Sequence, residues 1–127
     1  MSFPFSAYQG PVIVEASLSG PLGQADVRVI LDTGATTSLI RSALLVAVGY
    51  DPDASVDRVH VTMGNSVESV PRVVLNRFSA LGQHRLGLPV ISHTLPPTTG
   101  IDGLLGLDFL RGSVLTLDFQ KGQITLL

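Results

Sequence analysis

Glycine and proline recur along the whole chain and leave only short apolar runs between them. There are 13 glycines and 8 prolines among 127 residues. Apolar runs of this length, bounded by turn residues, are typical of short strands rather than of the long helices of a bundle. The sequence therefore predicts an all-β fold with one or two short helices.

Composition limits the domain number and the classes of partner. A hydrophobic content of 45% over 127 residues fits a single compact domain spanning 1–127. The formal net charge of −2 leaves no basic surface of the kind that nucleic acids require. Cysteine is absent, which excludes disulfides, catalytic thiolates and cysteine-based zinc sites. His60, His84 and His93 lie too far apart for a short metal-binding motif. From these observations together we predict no metal, no cofactor and no nucleic-acid partner.

The beginning of the chain carries no targeting pattern. Met1–Ser6 has neither the basic residues nor the continuous apolar stretch of a secretory signal. No stretch approaches the roughly 18 apolar residues of a membrane span. We therefore expect a cytoplasmic protein with no membrane partner, unless the chain is cut from a longer precursor.

Turn residues and apolar runs also predict the order of the elements. The first half should contain a hairpin of strands 11–18 and 25–31, a helix from a Ser38 cap to about Val48 with Gly49 beyond its end, and a long hairpin of strands 56–63 and 67–75. The second half should contain a strand over 83–91, a loop over 93–100, an extended segment over 101–105, one or two helical turns over 106–111, and a closing hairpin of 114–119 and 123–127.

Asp32-Thr33-Gly34 directly follows the apolar run Val27–Leu31. A carboxylate at the end of a buried strand is costly unless it is paired, capped or catalytic. Gly34 allows other backbone to approach closely, and Thr33 offers a hydroxyl for a fixed hydrogen bond. Asp-x-Gly after a strand is also a common turn, so these three residues alone leave a structural interpretation open.

A second motif near the other end adds to the first. The two stretches are Ile30-Leu31-Asp32-Thr33-Gly34-Ala35 and Leu104-Leu105-Gly106-Leu107-Asp108-Phe109-Leu110. Together they resemble the retropepsin-like aspartic proteases, and the continuation of the second motif is similar to the cellular and bacterial members rather than to the viral enzymes. The resemblance covers about Val12–Leu127 and implies the acid-protease fold, a closed barrel with one lobe per chain.

This resemblance implies an aspartic endopeptidase that acts on polypeptides with an activated water and no cofactor. Its implied site residues are Asp32 as the catalytic acid; Thr33, Gly34 and Ala35 as active-site support; Met63, Gly64, Asn65 and Ser66 as a flap over the substrate; and Leu104, Leu105 and Gly106 as the second motif. Because the chemistry needs two carboxylates and the motif occurs once, the resemblance implies a homodimer. The apolar strand 123–127 would then pair with its counterpart in the second chain.

Two alternatives stay open at this stage. Asp102 and Asp108 are additional acids around the second motif, and loop capping or stabilisation of a helix start is the favoured interpretation for both. The whole chain could also be a catalytically silent dimer that binds extended peptides or serves in assembly. Asp32 argues against that second alternative, because a pure binding protein gains nothing from a buried pair of charges.

Overall fold

The computed structural model describes residues 1–95 and 100–127. Its strands are β1 (Phe3–Pro4), β2 (Ile13–Gly20), β3 (Gly23–Leu31), β4 (Leu39–Arg41), β5 (Arg58–Met63), β6 (Ser66–Ala80), β7 (Gln83–His93), β8 (Gly103–Leu105), β9 (Leu115–Asp118) and β10 (Gln123–Leu126). Its helices are α1 (Ser42–Ala47), a 3₁₀ turn (Pro52–Ala54) and α2 (Leu107–Leu110).

Six of these strands form a closed ring in the part of the chain that the structure describes. Their order is β2-β3-β8-β4-β7-β6, and β6 pairs again with β2. Among the described strands, the first half of β6 pairs only with β5 and leaves the ring, so this hairpin projects from the barrel. A separate sheet has the order β1-β10-β9. The all-β, closed-barrel prediction with short helices is confirmed.

The core fills the ring because alternate strand residues face inward. In β3, for example, Val27 and Val29 are fully buried whereas Arg28 is exposed. Phe78 and Phe109 are both fully buried, and their ring centroids are 5.6 Å apart in an edge-to-face arrangement. Helix α2 is therefore tied to the barrel through the Phe109 side chain.

Two local predictions, the first hairpin and the end of the first helix, are confirmed, although β2 and β3 each extend two residues further towards the turn than predicted. Strands β2 and β3 form the first hairpin, with Gly20 opposite Gly23 at its end. Helix α1 ends with Gly49 at φ +102°, where the Gly49 N–H donates to Val46 and the Tyr50 N–H donates to Leu45. This pair of hydrogen bonds is the Schellman arrangement. It favours glycine because the residue just beyond the helix end adopts a left-handed backbone conformation.

The predicted start of that helix is wrong. Residues 39–41 form strand β4 between β8 and β7, and α1 begins only at Ser42. The Ser38 side chain does not cap a helix; it is fully buried and bonds to residues near the second motif. Pairing with two distant strands outweighs the local helical preference of this short segment.

The long strand β6 and the N-terminal strand β1 also depart from the predictions. Strand β6 continues to Ala80 rather than ending near Leu75, because its last residues pair with both β7 and β2. Strand β1 pairs with β10, so the C-terminal strand is flanked by β1 and β9 of its own chain over Gln123 and Ile124. The edge of β10, which was expected to pair with a second chain, is thus partly covered by β1.

Part of the loop predicted over 93–100 lies outside the described residues. His93 itself is the last residue of β7. No helix among the described residues is long and apolar enough to cross a membrane.

Candidate active site

The segment 32–38 crosses over the end of strand β8. It joins β3 to β4, and these two strands lie on either side of β8 rather than next to each other. Leu31 of β3 is in parallel register with Leu105 of β8. The two sequence motifs are therefore brought side by side, with the segment 32–38, here called the aspartate loop, lying across Gly106.

Backbone hydrogen bonds attach the aspartate loop to the second motif. The Asp32 N–H donates to the Leu105 carbonyl at 2.9 Å, and the Leu107 N–H donates to the Ala35 carbonyl at 2.8 Å. The Asp108 N–H donates to the next loop carbonyl at 3.2 Å. The loop is thus held at both its beginning and its middle, which limits the positions open to the Asp32 side chain.

Asp32 itself is half-buried at the start of this loop. Its Oδ1 accepts a hydrogen bond from the Gly34 N–H at 2.9 Å, and its carbonyl accepts one from the Ala35 N–H at 3.1 Å. Thr33 and Gly34 are exposed. The carboxylate is therefore oriented by its own loop while one side of the loop stays open to solvent.

The far end of the loop is fixed by Ser38 and Asp108. The Ser38 hydroxyl donates to Asp108 Oδ1 at 2.6 Å, and the Ser38 N–H donates to Oδ2 at 2.9 Å. The same hydroxyl accepts the Gly106 N–H at 2.9 Å. A fully buried serine thus satisfies a backbone donor of the second motif and binds a carboxylate from α2. These contacts agree with the interpretation that Asp108 stabilises the structure rather than taking part in catalysis.

Two glycines permit the crossing. A Cβ on Gly106 would lie 2.6 Å from the Ala35 carbonyl oxygen, closer than real Cβ contacts. A Cβ on Gly103 would collide with the Leu39 carbonyl oxygen. Both glycines are needed because backbone of the aspartate loop comes too close to Gly106, and backbone of β4 too close to Gly103, to leave room for a Cβ.

Asp102 is likewise occupied by structural contacts. Its Oδ2 accepts the Arg28 N–H at 2.9 Å, and its Oδ1 accepts Arg41 Nε at 2.8 Å. Asp102 therefore ties β8 to β3 and to β4 on either side of it. Among the residues that the structure describes, no group of three or more histidine, aspartate or glutamate side chains is arranged to hold a metal ion.

A groove of about 620 Å³ runs between the aspartate loop and the projecting hairpin. Its lining comes from the loop, from the body of β5 and from the barrel below: Gly34, Ala35, Thr36, Thr37, Leu39, Val59, His60, Val61, Thr62, Ile91 and Leu104. Of the residues singled out in the sequence, Gly34, Ala35 and Leu104 line this groove. Leu105 and Gly106 lie behind the loop and support it.

The tip of the hairpin is a two-residue turn. Met63 pairs with Ser66 across Gly64 and Asn65, and Gly64 has φ +63°. Gly64, Asn65 and Ser66 are exposed. The part of the hairpin that borders the groove is the strand before the tip, which the sequence had not distinguished from the tip itself.

Sequence reasoning missed Ser38 and Arg41 as parts of the site. Ser38 was assigned to a helix cap, although a single serine followed by Leu39 and Ile40 also fits a polar group buried at the start of a strand. Its partner Asp108 is 70 residues away, and no local pattern identifies such a pair. Ser38 holds the end of the aspartate loop, and Arg41 holds β4 to the segment before β8 through Asp102.

Comparisons with known proteins agree with this arrangement. A family model described as aspartyl protease matches residues 14–109, which include the first motif, the projecting hairpin and all but the last residue of the second motif. The fold is similar to the crystal structure of a retropepsin-like aspartic protease from Rickettsia conorii, with a TM-score of 0.73 and 15% identity over 99% of this chain and 89% of that one. A comparison with curated proteins finds no match. The chain belongs to the aspartyl protease family, and its fold is retropepsin-like.

Proposed function

We propose that this protein is an aspartic endopeptidase whose catalytic acid is Asp32. The observation that carries the proposal is the position of this carboxylate. It lies half-buried at the start of the aspartate loop, whose residues 34–37 line the groove, and among the described residues its side chain bonds only to the Gly34 N–H. Asp102 and Asp108, the acids on the neighbouring motif, are instead bound to backbone and to other side chains.

Peptide hydrolysis by this route needs two carboxylates in different protonation states. One accepts a proton from the attacking water while the other donates a proton to the carbonyl oxygen of the scissile bond. We propose that a two-fold symmetric homodimer supplies the second Asp32. Two like charges about 3 Å apart repel by roughly 5 kcal/mol at an effective dielectric of 20, so such a pair should hold one proton between its members. Thr33 is the proposed hydroxyl contact across the dimer.

The groove supports an extended polypeptide as the substrate. Its described lining includes no aspartate, glutamate, lysine or arginine and is largely aliphatic or hydroxyl-bearing, with one histidine, His60. Strand β5 borders it with a strand edge, and such an edge can pair with a peptide main chain. The hairpin with its tip at Met63, Gly64, Asn65 and Ser66 is the proposed flap, which would close over the peptide and exclude water. Residues 1–127 are proposed to act as one such domain, and the cytoplasmic location stays a prediction that cell fractionation tests.

The experiment is to identify new peptide termini by mass spectrometry after mixing a peptide library with the wild type or with Asp32→Asn. The pH should span about 4 to 7, because a pair of carboxylates sharing a proton requires a bell-shaped profile. Asp108→Asn is the matched control, since it neutralises an acid of the same site that we assign to structure; where it remains folded, it should retain cleavage. Cleavage by the Asp32→Asn protein at the wild-type rate would refute the mechanism. Binding of peptides without any cleavage by the wild type would favour the silent peptide-binding alternative.

A further inference from the structure

A second polar site lies on the outer face of the barrel, where β2 and β6 close the ring. In the strand register Ser17 is opposite Ser79, and Ser79 is in turn opposite His84. One step along, Ser19 is opposite Arg77. Because side chains two apart on a strand share a face, these groups all lie on the same side of the sheet.

These side chains line a shallow cavity of about 150 Å³. Its lining residues are Ser17, Ser19, Gln24, Arg77, Ser79 and His84. All six are polar, and they come from four adjacent strands. Liquid water occupies roughly 30 Å³ per molecule, so this cavity has room for a small ion with its waters but not for a peptide.

Arg77 is not paired with an acid here. Among the described residues Arg28, Arg41 and Arg72 each lie within 4.0 Å of a carboxylate, whereas Arg77 does not. Its Nη2 lies 3.0 Å from both ring nitrogens of His84. The positive charge of Arg77 therefore has no neutralising partner within the part of the chain that the structure describes.

The polar side chains around Arg77 fall into two groups: two bond to each other, and three are free to bind a ligand. Ser79 Oγ and His84 Nδ1 are 2.7 Å apart and bond to each other. The side chains of Ser17, Ser19 and Gln24 make no hydrogen bond with the described residues of the protein. A cavity with one guanidinium that has no carboxylate partner among the described residues, and with three free donor side chains, is suited to a ligand with several acceptor oxygens.

We propose that this cavity binds a phosphate-type oxyanion. The planar guanidinium of Arg77 would bond two of the ligand oxygens, and the hydroxyls of Ser17 and Ser19 would donate to the others. Asp26 is the nearest acid in the register, opposite Ser17. Asp26 lines the adjoining depression but not this cavity. The anion would therefore lie near Arg77 and away from Asp26.

The oxyanion site is separate from the peptidase site. Asp26 precedes Asp32 by six residues on one extended segment, which places the two regions about 20 Å apart at roughly 3.3 Å per residue. The inference therefore does not depend on the proposed function. A bound anion would bridge β2, β6 and β7 at the seam that closes the barrel, so it should stabilise the folded protein by mass action.

The test is a titration of the full chain with inorganic phosphate, followed by amide chemical shifts and by thermal unfolding, at constant ionic strength set with chloride. We expect saturable shifts confined to the residues around the cavity and a melting temperature that rises with phosphate. Arg77→Gln should weaken binding at least about tenfold, because it removes the charge-assisted hydrogen bonds. Arg111→Gln is the matched control: Arg111 is also exposed, and its loss should leave binding unchanged.

A parallel titration with O-phosphoserine distinguishes a free ion from a phosphomonoester as the ligand. Tighter binding of either one supports the proposal and names the source of the phosphate group. Shifts that are absent, that chloride reproduces, or that Arg111→Gln reduces as much as Arg77→Gln would overturn it. Both substitutions are at exposed side chains, so the variants should fold and keep the comparison informative.

Discussion

Replacing Ser38 by alanine tests whether the aspartate loop is held by the contacts assigned to it. The substitution removes the hydroxyl that donates to Asp108 and leaves the buried Gly106 N–H without its acceptor. A hydrogen bond to a charged group contributes about 1.5–3 kcal/mol, and an unsatisfied buried donor costs about 1–3 kcal/mol. Because the Ser38 N–H still donates to Asp108, part of the contact survives, and we expect a net loss of about 2–4 kcal/mol in the free energy of unfolding.

The assay is thermal unfolding of Ser38→Ala and of Ser6→Ala at one protein concentration. For a chain of this length, the expected loss corresponds to a melting temperature lower by about 7–15 °C. Ser6 is exposed and its side chain makes no hydrogen bond with the described residues, so its substitution should change the melting temperature by little. A shift in Ser38→Ala as small as that of the control would refute the assignment, since no buried donor could then have lost its partner. Asp108→Asn combined with Ser38→Ala should destabilise by less than the sum of the single effects, because the two share one set of bonds.

Three further outcomes follow from the site and its proposed chemistry. Gly106→Ala should cost at least about 2 kcal/mol by denaturant unfolding, because a new Cβ meets backbone of the aspartate loop, whereas Gly87→Ala, at an open position with φ +67°, should cost about 1 kcal/mol. His60→Glu adds a carboxylate to the groove, so the ratio of kcat/KM for acidic peptides to that for their amide analogues should fall; an unchanged ratio would remove His60 from the substrate contacts. Adding an equal amount of Asp32→Asn protein to the wild type, with subunit exchange, should lower total cleavage to about half, because about a quarter of the dimers then carry both aspartates, whereas a catalytic monomer would lose nothing.

Local patterns predicted those parts of the fold whose determinants are local. The first hairpin follows from alternating apolar residues with Gly20 and Gly23 at its turn, and the end of α1 follows from Gly49. The segment after Ser38 was assigned to a helix because its pairing partners, β7 and β8, lie more than 50 residues further along. Hydrogen bonds to distant strands leave no periodic trace in so short a segment, so no single-sequence pattern could have identified β4.

The parts of the candidate site that are contiguous in sequence could likewise be predicted, whereas those that depend on distant residues could not. The two motifs identified the loop and the strand that meet, because each is contiguous in sequence. The roles of Ser38 and Asp108 depend on a contact between residues 70 positions apart, and the sequence shows only that both are polar. Similarly, β1 is a two-residue strand whose existence depends on β10, and Phe3-Pro4 alone carries no strand signal.

The commitment of the neighbouring acids explains why one chain provides only half of the proposed site. Both carboxylate oxygens of Asp108 and of Asp102 accept hydrogen bonds from backbone and side-chain donors. These bonds hold the aspartate loop and β8 in place. Either acid could join Asp32 in catalysis only by releasing those donors, at a cost of about 1–3 kcal/mol for each buried group left unpaired. A second copy of Asp32 carries no such cost, because among the described residues only the Gly34 N–H bonds to its side chain. Among the acids on the two motifs, the least costly second carboxylate is therefore the same residue of another chain, and this is the physical argument for a symmetric dimer.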